Sequence, residues 1–240
     1  MATTVTLEAL LEAGAHFGHQ ARRWNPKMAP YLYGVKDGVH VFDLVKTKQA
    51  LEEAMKILAS YAKVGKTILL VGTKKQAKDR VKLVGKNAQI AYLNERWLGG
   101  TLTNINQILN SVRKLIDIEE GFKTGKFNTY TKKERLLLER DAEKLERNIG
   151  GIRSLTQKPD LIIIIDTHKE DGAVKEAKRM GVETIGIVDS NGDPTAVTWP
   201  IPMNDDAGKA LEFILRVIEK TIMDAKGLKQ EKKEKIHVKA

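Results

Sequence analysis

The sequence has no cysteine, so neither disulfides nor Cys-ligated zinc can hold this fold together, which suits a reducing compartment. No apolar run approaches the length of a membrane span, and no basic-apolar-small order at the N-terminus predicts a secretory leader. Three short motifs are also missing. There is no Gly-x-Gly-x-x-Gly, no P-loop pattern and no Gly-x-Ser-x-Gly elbow. Without them, and without a cysteine nucleophile, the chain offers no catalytic constellation, though a nucleotide- or sugar-phosphate-binding enzyme using the Gly72–Gln76 turn remains the alternative. Acidic residues are in deficit. Lys+Arg number 41 against 31 Asp+Glu, for a net charge of +10, a balance that favours polyanionic partners such as RNA, DNA or an anionic membrane surface.

What is present begins with Leu161-Ile162-Ile163-Ile164-Ile165-Asp166. A run apolar on both faces reads as a strand in the middle of a parallel sheet covered by helices. Asp171–Met180 has helix-forming composition, Gly181 can end that helix, and Thr184–Val188 is a second apolar strand. Together they predict a βαβ unit. The expected fold class is α/β, an open, mostly parallel sheet flanked by helices, Rossmann- or flavodoxin-like.

Upstream, Thr6 can cap a short helix. Then comes Gly14–Met28, which lacks any helical or strand period and mixes glycines, His16, His19, Phe17, Arg22, Arg23, Trp24 and Lys27. Basic side chains among aromatics can hold a phosphate backbone and stack on unpaired bases; equally, the aromatics can pin a loop to the core. Asp37-Gly38 between β-rich runs predicts a hairpin. A helix is expected from Thr47 to about Gly65, and a strand at Thr67–Val71. Gly72-Thr73-Lys74-Lys75-Gln76 follows, then a helix to about Val84. Lys74 and Lys75 read as surface cations near RNA or as an ordinary solvated helix start. Ala88–Leu93 predicts a weaker strand, ahead of a second aromatic, basic and glycine-rich loop, Asn94–Asn104, containing Arg96 and Trp97.

The pattern then changes. Ile108, Leu109, Val112, Leu115 and Ile116 form one helical stripe, and Leu138, Ala142, Leu145 and Ile149 a second. Thr131 with Glu134 resembles a capping box. These stripes predict an antiparallel, coiled-coil-like helical hairpin. The expected organisation is a discontinuous α/β domain, 1–103 and 151–228, a helical hairpin insertion at 104–150, and a basic, flexible tail at 229–240.

Ligands of open α/β sheets bind beyond the C-terminal strand ends. Asp166 and Asp189 fall at such ends, with Asp193, Asp205 and Asp206 just downstream. With His16 they could form a divalent-cation site of hard ligands; as readily, they cap turns and helices. Both readings stand at this point. A His16–His19 zinc pair is not expected, because glycines flank it. No other cofactor is indicated.

Gly14–Met28, Gly38–Leu44, Val71–Ala77, Arg96–Asn104, Ile164–Glu170, Ile187–Pro194 and Pro200–Ala207 resemble, in order, the pattern of the bacterial ribosomal protein S-two family. Thr167-His168, Gly192 and Met203 depart from it. The resemblance implies a structural, non-enzymatic protein of the small ribosomal subunit, in the cytoplasm and not in a membrane. It further implies a place between head and body, contact with small-subunit ribosomal RNA and neighbouring small-subunit proteins, late assembly, and help in anchoring the large S-one protein. By the same resemblance Arg22, Arg23, Trp24, Lys27, Lys74, Lys75 and Arg96 are the expected RNA-facing residues.

Overall fold

The computed structural model describes residues 5–228; the basic tail expected at 229–240 lies outside them. Its centre is a parallel five-stranded sheet of β4 (Ile68–Val71), β5 (Ala91–Leu93), β6 (Leu161–Ile164), β7 (Glu183–Val188) and β8 (Trp199–Pro202). Their spatial order is β5-β4-β6-β7-β8. Relabelled within the sheet, that order is 2-1-3-4-5, the flavodoxin-like winding, with its switch point between β4 and β6. β6 is the middle strand, as its two-faced apolar run requires, and β8 with its two prolines lies at an edge.

The alternation of side chains along β4 and β6 sorts the core into two layers. Ile68, Leu70, Leu161, Ile163 and Ile165 point to one face. There they meet α2 (Leu44–Lys63), α3 (Lys78–Asn87) and α7 (Gly208–Lys226). Leu69, Val71, Ile162 and Ile164 point to the other. That face is covered by α6 (Asp171–Met180) and by residues of α4 (Ile105–Lys123) and α5 (Lys132–Ile149). All four isoleucines at 162–165 are fully buried, each worth roughly 1.5–3 kcal/mol of transfer free energy.

Local signals act as the sequence implies. Thr6 Oγ1 accepts from Ala9 N at the start of α1 (Leu7–Glu12). Gly181 closes α6 in the left-handed region, φ 64°. Thr131 and Glu134 form the reciprocal capping box of α5. Asp37 and Gly38, both at positive φ, join β2 (Leu32–Lys36) to β3 (Val39–Phe42). With β1 (Phe17–Gln20) these make a small antiparallel sheet, ordered β1-β3-β2.

Two boundaries differ from expectation. α2 begins at Leu44, not Thr47, because the Asp43 carboxylate accepts from Val45 N at 3.0 Å and caps it. β5 is confined to Ala91–Leu93, because Gln89 sits at φ 51° and breaks the extended backbone before it. Between α4 and α5, Lys114 meets Asp141 at 3.1 Å. Arg153 binds Glu119 of α4 and Glu146 of α5.

Candidate nucleic-acid interface

The turns that follow β4, β6, β7 and β8 meet at one end of the parallel sheet. Gly72 lets two of them approach, since a Cβ there would come within 2.9 Å of Val81 and 3.1 Å of Ile165. Lys74 then turns inward. Its Nζ lies 3.0 Å from Asp166 Oδ2 and 2.6 Å from both Asp205 Oδ1 and Asp206 Oδ1. Lys74 is 8% exposed, so the expectation of a surface cation near RNA is corrected. Three carboxylates from two separate turns draw the ammonium into the switch-point crevice and neutralise it.

Burial works against the charge of Lys74. The charge and hydrogen bond of Asp205, then hydrogen bonds to Asp206 and Asp166, more than offset this and hold its pKa above the ordinary lysine value. Asp205 shows the reverse. Burial, and then the charges of Asp189 and Asp166, push its carboxyl up to about 8 against the pull of Lys74. Asp166 occupies φ 68°, a left-handed conformation rare for a non-glycine residue, and its Oδ1 accepts from Lys169 N at 2.9 Å.

His19, not His16, joins this cluster. Its Nδ1 is 3.0 Å from Asp189 Oδ1 and its Nε2 is 3.3 Å from Asp206 Oδ2. The hydrogen bond to Asp189 raises its pKa, burial opposes, and the charges of Asp189, Asp205 and Asp206 add to the rise. One ligand atom each from His19, Asp205 and Asp206 falls within 4.8 Å of the others. The expected cation-ligand set of His16, Asp189, Asp193 and Asp205 is therefore not assembled. His16 stacks on Phe17, centroids 4.0 Å apart, and Asp193 pairs with Lys27 at 2.6 Å. Asp189 and Asp205 do come together, with Lys74 Nζ among the carboxylates.

The same turns clasp the N-terminal loop. His19 N donates to Ser190 Oγ at 2.8 Å and Asn25 N to Ser190 O at 2.7 Å. Asn204 donates from its backbone to Ala15 O and from Nδ2 to Gly14 O, both at 3.0 Å. A Cβ at Gly18 would meet Ser190 Oγ at 2.9 Å, so only glycine permits this approach. Segment 14–28, read as aperiodic, holds strand β1 and is ordered both by its pairing with β3 and by these contacts far along the chain. It displays Arg22 and Arg23 outward on a short 3-10 turn. Trp24 packs on the His40 ring, centroids 5.0 Å apart, and stays 38% exposed. Lys75 and Arg96, from the turns after β4 and β5, are also exposed. Arg22, Arg23, Lys27, Lys75 and Arg96 thus leave from elements gathered at one end of the sheet.

Glu176 of α6 organises the second loop, and nothing in the sequence marks it. One carboxylate oxygen accepts from Trp97 Nε1 at 3.0 Å and Gly100 N at 2.8 Å. The other accepts from Leu102 N, Thr103 N and Thr103 Oγ1 at 3.0, 3.1 and 3.1 Å. Burial alone would raise the pKa of Glu176; the hydrogen bonds outweigh it and hold the carboxyl below the usual range. Trp97 is accordingly a packing and anchoring residue. Its loop is built around a half-buried anion.

The family described as "Ribosomal protein S2" matches residues 10–225. The chain is 46% identical over 230 residues to "Small ribosomal subunit protein uS2" of a Nitratiruptor species, covering 96% of this chain and 86% of that one. It is 46% identical over 222 residues to the protein of that name in Azorhizobium caulinodans, covering 92% and 67%. With the Rhodopseudomonas palustris (strain TIE-1) protein of that name it shares 45% over 219 residues, covering 91% and 66%. It thus spans about two thirds of the length of the latter two.

Proposed function

The chain belongs to the ribosomal protein S2 family, and from that premise we propose that it is a structural component of the small ribosomal subunit that binds ribosomal RNA. The family is structural rather than enzymatic. One observation carries the RNA assignment. At the C-terminal end of the sheet Asp166, Asp189, Asp205 and Glu170 are buried and Glu176 is bound up by loop donors. Arg22, Arg23, Lys75 and Arg96 stay exposed. Asp206 and Asp171 are exposed but paired, with Lys74 and Lys175; with most other acids turned inward, the outward cations leave a surface suited to phosphate. Lys27 shares its charge with Asp193 and contributes less; Trp24 offers an edge for stacking. The protein works in the cytoplasm, within the ribosome, and serves translation.

The finer assignment follows the family resemblance: a position between head and body, late assembly, neighbouring small-subunit proteins and help in holding the S-one protein. An exposed apolar sheet face supports a protein partner. Phe17 pairs with Val41, and Tyr33 falls at the register irregularity between Leu32 and Gly34, next to Gly34, which also pairs with Val41; Phe17 is 49% and Tyr33 84% exposed. Exposed aromatics grouped this way mark protein contacts. In the same reading 104–150 is a helical hairpin insertion in an α/β domain formed by 1–103 and 151–228.

Sedimentation tests the proposal. A lysate is run on sucrose gradients in magnesium at low and high salt, and the protein is followed by immunoblot. Comigration with the small subunit at both salts is expected. Absence from the subunit at both would overturn the reading, and comigration only at low salt would reduce it to a loosely held electrostatic passenger.

A further inference from the structure

We propose that the outward face of α5 is a second RNA contact, a ridge of four cations lying along the phosphates of a small-subunit RNA helix. This rests on the reading of the chain as an RNA-binding subunit component. Lys133, Leu137, Arg140, Lys144 and Arg147 follow at steps of four, three, four and three, which keeps them in one stripe of an α-helix. All five are exposed. Leu138, Ala142, Leu145 and Ile149 take the same steps on the opposite side, where they are half-buried or buried.

No acidic residue falls within the ridge. Glu139, Glu143 and Glu146 lie along one flank and Glu134 and Asp141 along the other. Three of these five acids are engaged. Glu134 closes the capping box, Asp141 pairs with Lys114, and Glu146 with Arg153. Among the described residues none of Lys133, Arg140, Lys144 and Arg147 has an ion-pair partner. The flanks do carry opposite charge at helical spacing, Glu143 before Arg147 at i,i+4 and Asp141 before Lys144 at i,i+3. Within the stripe itself, Arg140 and Lys144 are like charges at i,i+4, and Lys144 and Arg147 at i,i+3, an arrangement that weakens an isolated helix. From Lys133 to Arg147 the ridge takes fourteen steps, about 21 Å at 1.5 Å per residue, long enough to follow several phosphates of one strand. Its charge is complementary to RNA. Leu137 within the stripe and Leu136 beside it, 54% and 45% exposed, are the features a protein partner would use instead.

The test uses the full chain and labelled small-subunit ribosomal RNA, with binding measured across a potassium chloride series. The Lys133→Gln, Arg140→Gln, Lys144→Gln, Arg147→Gln variant is compared with wild type and with a Glu139→Gln, Glu143→Gln control. Loss of four phosphate contacts should flatten the slope of log K against log salt by about 3 and weaken binding at least about tenfold at moderate salt. The control should bind as well as wild type or better. Circular dichroism and melting temperature should hold, since a like-charge pair is relieved. Arg140→Glu, a change at one exposed position, supplies a second variant and should flatten the slope by about 1 or more. Equal slopes and affinities for all variants would overturn the ridge while leaving the RNA reading intact. No salt-dependent binding by wild type would overturn both. Unchanged RNA binding with lost capture of an acidic small-subunit protein would assign the ridge to protein instead.

Discussion

Glu176 holds the indole N–H of Trp97 at 3.0 Å across 79 positions of sequence, and with the same carboxylate it takes three backbone N–H groups of the loop that follows. Hydrogen bonds to a charged acceptor are each worth roughly 1.5–3 kcal/mol, and orphaning several donors at once is costlier than losing one. Glu176→Ala should therefore lower unfolding free energy by about 3 kcal/mol or more. Urea denaturation would measure this, with a red shift of tryptophan emission as the loop opens. Glu176→Gln keeps the acceptor oxygen of an amide and should fall between. A stability change under about 0.5 kcal/mol, the range of an ordinary surface substitution, would contradict the clamp.

Lys74 lies among the buried Asp166 and Asp205 and the exposed Asp206. Removing one partner of a buried ion pair leaves an uncompensated charge, at a cost of roughly 3–5 kcal/mol. Lys74→Met should lose stability on this scale, part of it recovered when Asp205→Asn is added. A double variant no better than the single would argue that the two residues are not coupled.

The pH dependence has a definite sign. Asp205, with its pKa pushed up to about 8, holds a proton in the folded state that the unfolded chain releases above about 4. Its contribution therefore falls as pH rises from about 4 to about 8. His19, also raised, contributes fully below its unfolded value near 6.5 and loses that share as pH climbs through its folded pKa. Asp206 acts oppositely at the acid end. Burial opposes the shift, but Lys74 holds its pKa low, so its share is lost as pH falls. Melting temperature should decline between about pH 6.5 and 8.5, and Asp205→Asn should flatten the decline. A wild-type profile that rises across this range would be incompatible with the cluster.

Arg22→Glu with Arg23→Glu reverses two exposed charges on a loop whose own anchors, His19, Asn25 and Ser190, are untouched. Incorporation into the small subunit should drop sharply, while circular dichroism and melting temperature stay near wild type. Normal incorporation would remove this loop from the RNA-binding surface.

The sequence made the sheet legible where the signal was local. Five consecutive apolar residues at 161–165 announce a central strand, Asp37-Gly38 a tight hairpin, and Thr131 with Glu134 a helix start. The parallel character of the sheet followed from the βαβ reading. What stayed hidden is what depends on distant partners. Lys74 in Gly-Thr-Lys-Lys looks solvated until Asp205, 131 positions later, closes on it. His16 and His19 are equivalent by composition. Only the pairing of β1 with β3 and the Ser190 contact bring His19 to the carboxylates. Glu176 sits in an ordinary amphipathic helix, and its role is visible only from the loop it holds.

The hold of Ser190 and Asn204 on loop 14–28 also sets an order in time. The contacts of His19 with Ser190 and of Gly14 with Asn204 bridge 171 and 190 positions. During synthesis from the N-terminus, Arg22 and Arg23 emerge early and gain local support when β1 pairs with β3, but the clasp of Ser190 and Asn204 waits until most of the chain has been made. Contacts of such sequence separation form late, after the long loop between them has closed. A nascent or truncated chain therefore carries the two arginines without the long-range clasp that completes their setting.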